Sequence, residues 1–227
     1  MNKKADRLYI ILASIFIASL VSCNLIFQKF FQIDIWLPFI GRYTFEQSVG
    51  LLPYPVTFVV TDIISEIYGR KKANQVVTAG LFASLFMLII ITVSDYVSAA
   101  AWSPVTDEMF SNVFGLSAAA VFASMIAYLI AQYIDVRAFH FWKELTKGKH
   151  LWLRNNASTV FSQFVDTFSV LFLLCSLDVI GWERFPILLA NGFLFKVFFA
   201  AFDTPFVYGI TYIIRKRLGL KFGEEVS

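Results

Sequence analysis

The chain has 227 residues, of which 58% are hydrophobic and 15% charged, against about 25% charged in soluble domains. That balance excludes a soluble globular domain and predicts a membrane protein. The formal net charge of +3 is explained by basic loops and gives no case for nucleic-acid binding. Apolar stretches of about 20 residues recur, the length that crosses a hydrocarbon core of about 30 Å. The 26 phenylalanines read as lipid-facing bulk and name no function. Cys23 and Cys175 both sit in apolar runs and read as small packing residues, with no metal-ligand spacing.

Six spans are predicted, at roughly 8–29, 48–68, 73–94, 113–137, 152–177 and 185–214. Loop charges orient them. Lys3, Lys4 and Arg7, then Arg70–Lys72, then Arg137–Arg154, then Arg215–Lys221 all fall on one side. The opposite loops hold Lys29, Arg42 and Arg184 and most of the loop acids. By the positive-inside rule both termini are cytoplasmic. The expected fold is an all-α polytopic membrane protein of six transmembrane helices, a single integral membrane domain over 1–227. No cleavable signal peptide is expected, because the first apolar run is too long for an h-region.

Span 1 carries Ser14, Ala18 and Ser22 at four-residue spacing, a face suited to close helix packing. Asn24 is either an interhelical hydrogen-bonding group or a substrate contact. The loop 30–47 alternates polar and apolar residues around Pro38 and Gly41, which predicts a short hairpin or interfacial segment. Span 2 opens on Pro53-Tyr54-Pro55. The prolines either start a helix or leave irregular backbone lining a cavity. The stretch TFVVTDIISEIYGRKK (57–72) places Asp62 and Glu66 four residues apart, on one helix face with Phe58 and Tyr54. Span 3 holds no ionisable residue between Lys72 and Asp95 and reads as scaffold. Ala119, Ala123 and Ala127 of span 4 form another small-residue face, for packing within the protein or between copies, so a homo-oligomer is admitted.

Gln132 and Asp135 recur as Gln163 and Asp166 in a similar frame. Asp135, close to Arg137, is expected to be solvated or capping. The basic, aromatic loop after it suits an anionic lipid surface, and His140 and His150 lack a third ligand at metal spacing. Span 5 is the most polar, with Asn156, Ser162, Gln163, Asp166 and Thr167. Span 6 carries Asn191, Lys196 and Asp203, with Pro205 as a candidate break. Lys196 falls mid-membrane, where it can pair with Asp166, Asp203 or Asp62.

Asp62, Asp166, Lys196 and Asp203 thus lie in hydrocarbon, and Glu66 lies near the cytoplasmic boundary. Each costs about 2.5–3.5 kcal/mol on insertion scales. One Lys–Asp pair can fix helix register, but it explains two of these residues. The set as a whole predicts a polar pathway or binding site. No catalytic arrangement is recognisable among these acids, no histidine lies in a span, and no phosphate-binding glycine loop is present. The chain is expected not to be an enzyme and to need no cofactor or metal.

The segments PVTFVVTDIISEIYG, AQYIDVRAFHFWKELTKGKHLWLRNNASTVFSQFVDTFSV and KVFFAAFDTPFVYG resemble the queuosine precursor transporter family, also grouped with vitamin uptake transporters; Asn24 and Lys29 resemble the end of that family's first helix. The resemblance implies a six-helix protein of the bacterial inner membrane that imports 7-deazaguanine precursors of queuosine: preQ0, preQ1 or queuine. Its family-typical positions fall on Asp62, Glu66, Asn156, Gln163, Asp166, Lys196 and Asp203. A carboxylate (Asp62, Glu66 or Asp166) can accept the base's N1–H and 2-amino group together. Gln163 and the asparagines, Asn24 and Asn156, offer donor and acceptor for O6 and the pyrrole edge. Phe58, Tyr54, Phe164 or Phe168 can stack on the ring. Asp166 with Gln163 is the expected base reader; Asp62 and Glu66 either bind the base or carry protons toward the cytoplasm, with an inner gate as the further alternative for Glu66. The alternative is a substrate-binding membrane subunit of an energised multi-component importer, and a structural or receptor-like protein stands third.

Overall fold

The computed structural model describes residues 3–37, 41–115, 118–147, 149–221 and 223–226. Within its helices and strands, the side chains of Leu37, residues 118–121, Ala123, Ser124, Tyr128, Arg154, Asn155 and Thr159 lie outside the described set. The small-residue face expected at Ala119 and Ala123 therefore lies outside the described residues, while Ala127 is buried.

The chain is mostly helical. In order it forms α1 (Lys3–Ile26), strands β1 (Phe30–Leu37) and β2 (Gly41–Ser48), α2 (Tyr54–Asp95), α3 (Asp107–Phe114), α4 (Ala118–Leu145), α5 (Leu151–Ser176) and α6 (Phe185–Leu218). Among the described residues, four helical stretches are long and apolar enough to cross a membrane: Lys3–Ile26, Val49–Asp95, Leu151–Ser176 and Trp182–Leu218.

The second of these is folded back on itself. Gly69 has φ 78° and ψ 172°, a region essentially restricted to glycine. The contacts with α1 show the reversal. Tyr68 donates to the Ala5 carbonyl (2.9 Å) and Tyr9 to that of Lys72 (3.2 Å), both near the start of α1. At the other end of α1, Gly50 lies against Cys23 and Phe27, and Asn24 donates to Ser84 (3.4 Å). Residues 54–68 thus run antiparallel to α1 and residues 70–95 parallel to it. The two predicted spans on either side of Gly69 are the two arms of this helical hairpin.

Other boundaries move in both directions: α1 starts earlier, at Lys3, and ends earlier, at Ile26, while α4 and α6 run on to Leu145 and Leu218. α4 runs through FHFWKEL, so these residues are helical, and His140 is buried rather than in a loop. α6 stays one helix across Pro205. Proline removes one backbone donor there, and Thr204 donates its hydroxyl to the Ala200 carbonyl at 3.0 Å in the same turn. Gly219 closes α6 in the left-handed conformation, φ 71°, as a C-terminal glycine does.

The predicted hairpin is present. β1 and β2 pair antiparallel, with Asp34 opposite Thr44 and Trp36 opposite Arg42; its connection, 38–40, lies outside the described residues. The hairpin and the start of α6 lie at one end of the bundle. The Gly69 turn, the C-terminal tail and the start of α5 lie at the other, the tail end. Phe161, Phe164, Phe168, Phe172, Phe198, Phe202 and Phe206 are exposed on α5 and α6. These rings suit lipid contact, as the aromatic content predicts.

Candidate functional site

Three residues from three helices meet in the interior. Tyr54 begins α2, placed there by Pro53 and Pro55, whose rings fix φ and suit a helix start. Asp166 sits on α5 and Lys196 on the antiparallel α6. Lys196 donates to Asp166 Oδ2 at 2.5 Å, and the Tyr54 hydroxyl donates to the same oxygen. Lys196 Nζ also lies 4.0 Å from the centroid of the Tyr54 ring, a cation–π arrangement. The side chains of Lys196 and Asp166 are 5% and 4% exposed. Asp166 Oδ1 is buried with no hydrogen-bond partner among the described residues, which for a carboxylate oxygen is costly. A carboxylate so placed is an acceptor awaiting a donor.

This cluster stands between two cavities. On the hairpin side is a cavity of about 150 Å³, whose polar lining includes Asn24, Gln47, Asp166, Thr167 and Lys196. A cavity of about this volume holds one aromatic ring. On the tail side is a narrow cleft of about 20 Å³ bordered by Phe58, Asp62, Gln163, Lys196 and Asp203. Tyr54 and Lys196 line both and form the partition. Beyond the larger cavity a vestibule of about 380 Å³ opens beside Phe30, Glu46, Ile180, Arg184 and Leu188.

The tail end is closed by charge. Glu66 is fully buried and accepts from Arg215 at 2.7 Å, with Lys143 at 3.8 Å. Lys143 also pairs with Glu225 at 2.7 Å. The C-terminal tail is pinned by Val226 N–H donating to the Ile67 carbonyl, 2.8 Å, and Arg215 donates to the Lys221 carbonyl. Glu225 fills the space where Gly69 has no side chain.

The sequence-predicted residues therefore divide. Asp166, Lys196 and Asn24 line the larger cavity, while Asp62, Gln163, Phe58 and Asp203 line the cleft, as does Lys196. Asp166 and Gln163 lie on opposite sides of the partition. Lys196 takes Asp166 as its ion-pair partner. Glu66 lines neither cavity, and its cations are Arg215 and Lys143. Asn156 bridges α5 and α6, donating to Thr204 at 2.7 Å and to the Trp152 carbonyl at 2.8 Å. Phe164 and Phe168 are exposed and stack on each other with centroids 6.2 Å apart; they line neither cavity. Asp135 is not solvated: it is buried between α4 and α5 and accepts from Ser162 at 2.8 Å.

Sequence reasoning missed Gln47 and the tail-end role of Arg215 and Lys143, and it named Asn191 without assigning it a partner. Asn191 donates to the Glu46 carbonyl at 3.0 Å and accepts from Tyr43. Its signal was available, as an asparagine in the first turns of an apolar helix.

Comparison with known proteins gives two kinds of match. Residues 48–210 match the family described as "Putative vitamin uptake transporter". A protein of Bacillus subtilis (strain 168) named "Probable queuosine precursor transporter" is 25% identical over 162 residues, 71% of this chain and 70% of the relative. One of the same name from Haemophilus influenzae is 27% identical over 239 aligned positions, 99% of this chain and 96% of the relative. No solved structure matches the chain.

Proposed function

The chain belongs to the vitamin uptake transporter family, which includes the queuosine precursor transporters, and from that premise we propose that it imports 7-deazaguanine precursors of queuosine through the cavity at Asp166. It is a multi-pass membrane transporter and not an enzyme. On our reading it lies in the bacterial inner membrane with six crossings, the hairpin end outside and the tail end in the cytoplasm. The distribution of Lys and Arg supports that orientation.

The observation that carries the substrate is Asp166. Its Oδ1 is buried without a partner among the described residues, in the wall of a cavity of about 150 Å³ between helices. A 2-aminopyrimidinone edge supplies N–H donors to such an oxygen as charge-assisted bonds. Oδ2 is held by Lys196 and Tyr54, so the ligand meets one oxygen in this conformation rather than a two-oxygen fork. Import then requires the Tyr54–Lys196 partition to part, exposing Asp62, Gln163 and Asp203, and the Glu66–Arg215–Lys143 cluster to open last, as an inner gate. Rocking of helices around a fixed midplane site is how secondary carriers work.

The test is binding and uptake by the purified chain in liposomes, without ATP or partner proteins, using preQ0, preQ1 and queuine. Saturable uptake of at least one supports the carrier. Binding without uptake identifies a substrate-binding subunit that needs an energised partner. Failure to bind any of the three sinks the reading.

A further inference from the structure

We propose that the β1–β2 hairpin is a moving wall of the ligand cavity, and that its Gln47 contacts the ligand and selects a lactam edge; this rests on the reading of that cavity as the substrate site. Gln47 is the one hairpin side chain that is fully buried among those described, and it lines the cavity with Asn24, Asp166 and Lys196. Its amide is held loosely. Nε2 donates to the Leu188 carbonyl at 3.4 Å, and Oε1 accepts from Ser48 N–H at 3.0 Å. One N–H and one lone pair remain. The facing helix makes room for it: a Cβ on Gly192 meets Gln47 Nε2 at 3.0 Å and Thr167 Cγ2 at 3.1 Å. A glutamine inserted into a cavity through a gap left by glycine, with both halves of its amide half-used, is built for a ligand that completes them.

A lactam carries an acceptor C=O beside a donor N–H. A primary amide presents the complementary donor and acceptor side by side. Asp166 Oδ1 is then left for the neighbouring amino group of the same ring.

The hairpin also stands in the path. Phe30, Ile180 and Leu188 line both the vestibule and the cavity, so the hairpin base separates the two. Polar contacts tie it to α6 and to the residue just before it: Tyr43 to Asn191, Asn191 to the Glu46 carbonyl at 3.0 Å, and Arg184 to Glu46 at 3.0 Å. The Arg184–Glu46 pair is exposed enough to be weak. Beside these polar contacts Phe45 stacks on Phe195 with centroids 6.3 Å apart, and a seam that is mostly polar opens more readily than a packed apolar one. Undocking carries Gln47 out of the cavity and opens it; redocking returns Gln47 onto the bound ligand.

The experiment uses the full chain in liposomes with two probes: 7-deazaguanine, and its 2,6-diamino counterpart, in which an amino group replaces the carbonyl. The wild type is expected to prefer the lactam by about tenfold or more, as sites with paired hydrogen-bonding groups do. Gln47→Ala is expected to lose that preference by weakening lactam binding alone, whereas a merely structural glutamine weakens both probes equally. In a second arm, Glu46→Cys with Arg184→Cys is bridged by a cleavable bis-thiosulfonate. Bridging is expected to stop uptake, and reduction to restore it. Full lactam preference in Gln47→Ala, or undiminished uptake by the bridged protein, overturns the proposal while leaving the transporter reading standing. A wild type that binds neither probe removes both.

Discussion

Lys196 Nζ lies 2.5 Å from Asp166 Oδ2 in the interior, each side chain about 5% exposed, and this pair is the hinge of the site. Removing one partner leaves the other as an uncompensated buried charge, at about 3–5 kcal/mol. Lys196→Met is therefore expected to lower thermal stability sharply in detergent. Asp166→Asn, which removes the charge but keeps the shape and one acceptor oxygen for Lys196 and Tyr54, is expected to cost less stability yet abolish ligand binding. Thermal unfolding followed beside ligand binding separates the two effects. Normal uptake by well-expressed Asp166→Asn sinks the assignment.

At the tail end, Arg215 holds Glu66 at 2.7 Å, with Lys143 farther away at 3.8 Å. A hydrogen bond to a charged group contributes about 1.5–3 kcal/mol. Arg215→Ala is expected to destabilise by about that amount. The exchanged pair Glu66→Arg with Arg215→Glu is expected to recover part of the stability. Equal stability of the single and exchanged variants contradicts a direct pairing.

Asp34 on the hairpin accepts from Arg42 and Thr44. The Arg42 guanidinium first, and the Thr44 hydroxyl second, hold its carboxyl below the ordinary value. A depressed carboxylate stabilises the fold above its unfolded value of about 3.9 and ceases to do so as pH falls through the lower folded value. Hairpin amide protection, measured against the intrinsic exchange rate at each pH, is expected to fall as pH drops below about 4. The pair lies at the exposed surface, so salt should blunt the effect. Asp34→Asn is expected to lack this pH dependence when the same amides are followed by hydrogen exchange.

Much of the interior was legible because charge in an apolar run has few innocent explanations. Asp62, Asp166, Lys196 and Asp203 all stood out by that logic, and all four line the two cavities. Their partners were less legible. Arg215 sat in a basic run and was counted with loop charges, because hydropathy cannot tell a cation that turns inward from one that faces solvent. Asp135 looked solvated for the same reason. Gln47 was invisible, since a polar residue in an alternating hairpin gives no sign of which one is tucked under a helix. The hairpin itself was readable from alternation and turn residues. The helix ends were not, because aromatic and basic residues at a membrane boundary suit a helix and a loop equally well.

Gly69 joins the two arms of α2, and its replacement tests the tail-end closure. With φ 78° and ψ 172° it occupies a region where other residues cost about 1–3 kcal/mol. A Cβ there also falls 2.2 Å from a Glu225 carboxylate oxygen, so the Glu225 side chain, which pairs with Lys143, must shift as well. Gly69→Ala is expected to lower the unfolding midpoint and to free the tail, seen as faster proteolysis after Lys221. Removing residues 224–227 from the variant is expected to relieve the clash but not the backbone strain, recovering a part of the midpoint. Full recovery on truncation shows that the tail contact alone carries the cost. No recovery shows that the reversal at Gly69 carries it, with Glu225 free to move aside.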